Sequence, residues 1–141
     1  MICVVKMTDS EDVYAVNNGD LSTKQKMYFE HYMNRLIKSN LDILILRALK
    51  DRPMCGYDLI KSIFQKYNIF LSQGTVYPLL YKLKDQGILQ AEFDQGNMRS
   101  KIYSIKADSE EIVNDRLNEF IRAAEYTLDS IASNSDDQKG P

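Results

Sequence analysis

Ser72-Gln73-Gly74-Thr75-Val76-Tyr77-Pro78-Leu79-Leu80-Tyr81-Lys82-Leu83-Lys84-Asp85-Gln86-Gly87 is the stretch on which the fold turns. Val76, Leu79, Leu80 and Leu83 recur at helical spacing and form one apolar stripe. At about 100° per residue, Gly74, Tyr77, Pro78, Tyr81 and Asp85 fall on the opposite face. The spacing predicts a helix that starts within Ser72-Gln73-Gly74-Thr75 and runs to about Gln86, with Gly87 just past its end. Pro78 leaves two starts open. With Thr75 as N-cap, Pro78 is the third helical residue and costs no intrahelical bond. With Ser72 as N-cap it lies deeper and loosens or bends the first turn.

The flanking segments repeat the pattern. Leu41, Ile43, Leu44, Ile45, Leu46, Ala48 and Leu49 are apolar almost all round, which predicts a helix at the centre of the core. Ser39 or Asn40 can cap it, and Asp51-Arg52-Pro53 ends it. A further helix begins near Cys55-Gly56, carries Leu59, Ile60, Ile63 and Phe64 on one face, and stops at Asn68. Beyond Gly87, Ile88 to Phe93, a turn at Gln95-Gly96-Asn97 and Ser100 to Ile105 read as strand, turn, strand.

The two ends supply the remaining elements. Residues 1–22 read as a loosely ordered segment, with a short strand at Ile2 to Val5. A helix follows over 23–38. Ser22 and Gln25 form a capping box, and Phe29, Tyr32, Met33, Leu36 and Ile37 lie at helical spacing. In 107–132, Asp108 or Ser109 caps a long helix. There Val113, Leu117, Phe120, Ala124, Thr127 and Ile131 follow a 3.5-residue seam that Ile112, Ile121 and Leu128 widen. Residues 133–141 are polar and read as a disordered tail. A helix this long exceeds what a domain of this size needs for its own core, so it is expected to pair subunits. The expected dimerisation surface comprises Val113, Leu117, Phe120, Ala124, Leu128 and Ile131, with Phe29, Met33 and Leu36 of the first helix.

The fold class is therefore mainly α with a small β-hairpin. A winged helix-turn-helix over 39–106 is joined to an N-terminal helix and a long C-terminal dimerisation helix. In this arrangement the second motif helix enters the DNA major groove, and dimers read two half-sites.

Composition sets limits on the reading. The chain has 141 residues, 18 Lys and Arg against 20 Asp and Glu, and a net charge of −2. At 27% charged and 44% apolar residues it is a globular composition. No apolar stretch approaches the roughly 18 residues that span a bilayer, and no signal peptide opens the chain, so a cytoplasmic protein is expected. Cys3 and Cys55 are 52 positions apart and His31 is the single histidine, so no metal or nucleophile motif is spelled out. Neither a catalytic centre nor a cofactor is expected. The total charge alone argues against nucleic acid, but it averages unlike segments. Residues 1–38 carry net 0, residues 39–106 net +4 and residues 107–141 net −6.

Taken together, Leu41 to Leu49, Met54-Cys55-Gly56-Tyr57-Asp58-Leu59, Gly74-Thr75-Val76-Tyr77-Pro78-Leu79-Leu80, Leu83 to Leu89 and Arg99-Ser100-Lys101-Ile102-Tyr103 resemble the PadR family of transcriptional regulators. The resemblance implies a homodimeric regulator, usually a repressor, on a pseudo-palindromic operator. Some members sense small aromatic compounds at or near the dimer interface. The chain departs from the family pattern at Gln73, where proline is usual, and in a wing less basic than most. It also lacks the Thr and Gly usual after the wing, having Ile105-Lys106-Ala107-Asp108-Ser109 there.

The expected DNA contacts follow from chemistry. Ser72, Thr75 and the first helical amides can donate to a phosphate, and Gly74 permits close backbone approach. Gln73 can read adenine in a bidentate contact. Tyr77 and Tyr81 offer hydroxyls, and Lys61, Lys82, Arg99 and Lys101 offer charge. Tyr57 either packs the motif or touches the DNA backbone. The alternative function is a winged helix used for protein–protein contact in the transcription machinery, which the weakly basic wing and the acidic C-terminal helix favour.

Overall fold

The computed structural model describes residues 22–133. The loosely ordered segment, its strand at Ile2 to Val5 and the polar tail lie outside the described residues, apart from Ser22 and Ser133. The elements run α1 (Thr23–Ser39), α2 (Leu41–Asp51), β1 (Met54–Cys55), α3 (Gly56–Tyr67), α4 (Gln73–Asp85), β2 (Leu89–Asp94), β3 (Asn97–Ile105), a 3-10 turn (Ala107–Ser109) and α5 (Glu110–Ser133). Among the described residues no helix is long and apolar enough to cross a membrane.

Helix α1 opens on a reciprocal cap. The Gln25 amide donates to Ser22 Oγ at 3.3 Å, and the Ser22 amide donates to Gln25 Oε1 at 3.0 Å. Asn40 separates α1 from α2 without capping α2 through its side chain. Its Nδ2 donates backwards to the Leu36 carbonyl at 2.8 Å. Helix α2 lies at the centre. Leu41, Ile45, Leu46 and Leu49 are buried, and Ile43, Leu44 and Ala48 pack partly against the same core. Arg52 before Pro53 is extended, as sterics at an X-Pro step require, and the chain enters β1.

The sheet has three antiparallel strands in the order β1-β3-β2, rather than the two of the expected hairpin. Met54 pairs with Tyr103 and Cys55 with Ile102. Two residues carry no periodicity, so β1 exists only through its pairing with β3. The β2–β3 ladder is regular from Leu89 opposite Ile105 to Phe93 opposite Lys101. It then shifts register so that Asp94 opposes Asn97. The reversal is tighter than the expected turn, with Asp94 Oδ1 accepting from the Gly96 amide at 3.0 Å. Helix α4 leads into this sheet through a Schellman end. Gly87 has φ 77°, the Gly87 amide bonds the Lys84 carbonyl, and the Ile88 amide bonds the Leu83 carbonyl.

The start of α5 differs from the expected cap. Ser109 is buried, and its hydroxyl donates to the Gly87 carbonyl at 3.0 Å instead of capping α5. The end of α4 is thus tied to the root of α5. The seam of α5 also divides. Val113 is fully buried and Leu117 nearly so in the protomer's own core, so neither is free for a partner. Phe120 and Ala124 are half-buried, and Leu128 and Ile131 are exposed. On α1, Phe29 and Met33 are half-buried, with Met33 packed on the core, while Leu36 is exposed. Short loops force the first turns of α5 back onto α2, which is why the seam cannot act as one surface.

Helices α3 and α4 meet at a glycine. A Cβ at residue 56 would stand 2.6 Å from Tyr77 Cζ and 2.7 Å from its hydroxyl oxygen. Gly56→Ala is therefore expected to cost about 1–3 kcal/mol through overpacking. Gly74→Ala, whose Cβ would have only Ser72 Oγ at 3.9 Å nearby, should leave stability unchanged or raise it. Urea unfolding of both variants checks the contrast, and equal effects would refute the close approach.

Burial also acts on three phenols. Tyr103 is 2% exposed, and desolvation holds its pKa above the ordinary 10.0, with Tyr81 and Tyr77 adding to the shift. Desolvation raises Tyr77, with Cys55 and Tyr81 adding to it, and raises Tyr67 against the lowering effect of Arg47. A raised acid pKa keeps the folded phenol neutral where the unfolded chain would ionise. Stability is then intact below about pH 10 and falls as pH rises through that value. Urea midpoints at about pH 8 and about pH 11 should show the fall, and Tyr103→Phe should reduce it.

Candidate nucleic-acid interface

The structure settles where α4 begins. Ser72 is its N-cap residue, with φ −79° and ψ 156°, and Gln73 is the first helical residue. Pro78 is thus the sixth helical residue, the deeper of the two placements. Having no N–H, it leaves the Gly74 carbonyl without its helical partner. The Ser72 carbonyl accepts from both the Thr75 amide at 3.1 Å and the Val76 amide at 3.2 Å. The Ser72 side chain does not cap the helix; its Oγ pairs with Thr75 Oγ1 at 2.9 Å. The amides of Gln73 and Gly74 have no intrahelical acceptor. Ser72, Gln73, Gly74 and Thr75 are all exposed. This end of α4 therefore presents two amides, two hydroxyls and one carboxamide at the positive pole of a helix dipole.

Tyr77 and Tyr81 lie one turn apart with ring centroids 6.0 Å apart. They do different work. Tyr77 is half-buried over Gly56 and belongs partly to the core, while Tyr81 is half-exposed. Tyr57, the residue after that glycine, is 60% exposed, so it does not serve as a packing residue. The Lys61 ammonium sits 5.7 Å from the Tyr57 ring centroid, one turn along α3. Lys82 is exposed on α4. The crossing of α3 and α4 thus seats Tyr77 on Gly56 and leaves Tyr57, the next residue, exposed.

Arg99 and Lys101 form a second group, on the hairpin. Both are exposed. Arg99 lies in the register shift, with its amide bonded to Asn97 Oδ1 at 3.2 Å. Lys101 stands across from Phe93, with Nζ 5.4 Å from the ring centroid. In the sequence Phe93 is simply an apolar strand residue. Strand alternation was the available signal, because it places Phe93 on the face of Leu89 and Ala91. The ion pairs among the described residues are Arg47–Asp51 and Arg122–Glu119. Lys61, Lys82, Arg99 and Lys101 therefore carry unpaired positive charge.

The chemistry available is recognition of anions and base edges. Among the described residues no group of three or more His, Cys, Asp or Glu could hold a metal ion. Cys55 is half-buried, and its Sγ accepts from the Asp58 amide at 3.5 Å as the N-cap of α3.

Solved structures share this arrangement. A Thermoplasma acidophilum protein described as a transcriptional regulator is 26% identical, with TM-score 0.56 and coverage of 70% of this chain and 96% of that one. A PadR-family transcriptional regulator from Eggerthella lenta is 22% identical, with TM-score 0.62 and coverage of 78% and 97%. A PadR-like transcription factor from Bacteroides fragilis is 22% identical, with TM-score 0.56 and coverage of 72% and 98%. The likeness to the last two is one of fold. No curated protein matches the chain significantly. Residues 45–111, from α2 through the sheet to the first turn of α5, match the PadR-like family of transcriptional regulators. By that match and by its winged-helix fold, this segment of the chain is similar to the PadR-like family of transcriptional regulators.

Proposed function

We propose that the chain is a homodimeric repressor in the cytoplasm that binds a pseudo-palindromic DNA operator through two copies of α4. The exposed, anion-seeking start of α4 carries this reading. Ser72, Thr75 and the open amides position it on phosphates, and Gln73 reads a base edge. Tyr57, Lys61, Tyr81, Lys82, Arg99 and Lys101 contact the flanking backbone, and Tyr77 mainly holds α4 in place.

The dimer has its own support. Helix α1 leaves Met27, Tyr28, Tyr32 and Leu36 exposed, and α5 leaves Ile121, Tyr126, Leu128 and Ile131 exposed. Such apolar stripes on long helices are what a partner covers. Charge points to which stripe meets which. Helix α1 carries Lys24, Lys26, Arg35 and Lys38 against Glu30, net +3; α5 carries six acidic residues against Arg116 and Arg122, net −4. The α1 of one protomer therefore pairs with the α5 of the other. The exposed α1 surface of Met27, Tyr28, His31 and Tyr32 offers aromatic contact to a small aromatic effector that would loosen this pairing.

Gel shifts with the DNA upstream of the protein's own gene test the reading. A specific complex should form and weaken steeply with salt. Gln73→Ala should cost about 1–3 kcal/mol at one base position and relax specificity there. No specific shift at low salt, together with a stable protein partner in pull-downs, would favour the protein-contact alternative.

The dimer is tested separately by light scattering. Leu128→Asp combined with Ile131→Asp should give a folded monomer whose DNA affinity falls more than about tenfold, since half of the phosphate contacts are lost. A variant that stays dimeric would overturn the assignment of α5.

A further inference from the structure

We propose that Phe93 is a positioning residue of the wing, whose ring holds the Lys101 ammonium in place for a DNA phosphate. This rests on the DNA-binding reading above.

Three observations carry it. First, Phe93 and Lys101 form the last regular cross-strand pair before the ladder shifts register, so they stand at the boundary between rigid sheet and irregular hairpin tip. Second, Phe93 is 60% exposed, and the ammonium lies 5.4 Å from its ring centroid. A large ring left in solvent contributes little to the core, whereas an aromatic face attracts a cation at this distance. Third, Lys101 has no carboxylate partner among the described residues. Glu92 lies on the other face of β2 by strand alternation, and Asp94 Oδ1 accepts from the Gly96 amide.

Direction follows from the same alternation. Tyr103, two residues from Lys101 on β3, is buried opposite Ala91 in the core that Tyr77 of α4 also joins. Lys101 continues that face about 7 Å towards the tip. It therefore emerges between α4 and the hairpin tip. When α4 lies in a major groove, that gap is where the sugar-phosphate strand bordering the groove passes. A free lysine has a flexible four-carbon stem and loses much rotamer freedom on fixing one phosphate. A ring that already restrains the ammonium removes part of that cost.

The test uses the full-length protein and operator duplex at several salt concentrations. Lys101→Met should weaken binding and make the salt slope shallower by about one ion. Phe93→Leu keeps apolar bulk but removes the ring face. It should weaken binding about two- to fivefold, while Phe93→Tyr should bind like the parent. In a Lys101→Met background, Phe93→Leu should have no further effect. In the free protein, the Lys101 side-chain methylene protons should lose their upfield ring-current shift in Phe93→Leu but not in Phe93→Tyr. Parental affinity for Phe93→Leu, or an equal loss with and without Lys101, would overturn the proposal and leave the DNA reading standing. Absence of binding by the parent protein would overturn both.

Discussion

A tyrosine ring seated on a glycine sets the geometry of the reading head. Tyr77 occupies the space that any side chain at residue 56 would need, so α3 and α4 meet ring on glycine. With that contact made, Val76, Leu80 and Leu83 are driven into the core, and the first turn of α4 has nowhere to point but outward. The exposed Ser72 to Thr75 end is thus a product of packing behind it. Buried Tyr103 of the sheet shares the core on which Tyr77 packs, and Ser109 fastens the end of α4 to the root of α5. The recognition helix is held at its middle and its end while its start stays open.

Much of this was legible from residue spacing. The capping box at Ser22 and Gln25, the all-round apolar α2, the stop at Gly87 and the strand pair are local patterns, and each is found where local chemistry places it. What stayed hidden depends on partners distant in sequence. Strand β1 is two residues long and exists because β3 reaches it. Val113 and Leu117 belong to one continuous seam, yet α2 covers them while Leu128 and Ile131 stay open. No spacing rule can say where a domain ends along a helix.

The candidate site was legible in the same uneven way. Residues at the start of α4 were named by their chemistry, because N-terminal amides and small polar side chains suit phosphates wherever a helix begins. Which tyrosine packs and which is free was not readable, since Tyr57, Tyr77 and Tyr81 share composition and neighbourhood. Only the crossing of α3 over α4 separates a half-buried Tyr77 from an exposed Tyr57. Phe93 was invisible for the opposite reason: an aromatic in a strand suggests core, and only the shape of the sheet leaves it outside.

The charge division makes sense on this architecture. A net of −2 would oppose DNA if spread evenly, and a net of −6 beside the recognition helix would oppose it more. Six of the nine acidic residues in 107–141 instead run along α5, 24 residues and about 36 Å from root to tip. Physiological salt screens exposed charges beyond about 8 Å, so most of the arm is electrostatically silent at the DNA. At short range the same acids are useful, because the proposed partner helix α1 is basic. Like charges on two α5 helices also disfavour α5–α5 pairing and thereby select the crossed arrangement. A modest reading head and an acidic arm are then complementary requirements. In the proposed dimer a weakly charged head is doubled, and the arm's charge selects the partner helix that brings the two heads together.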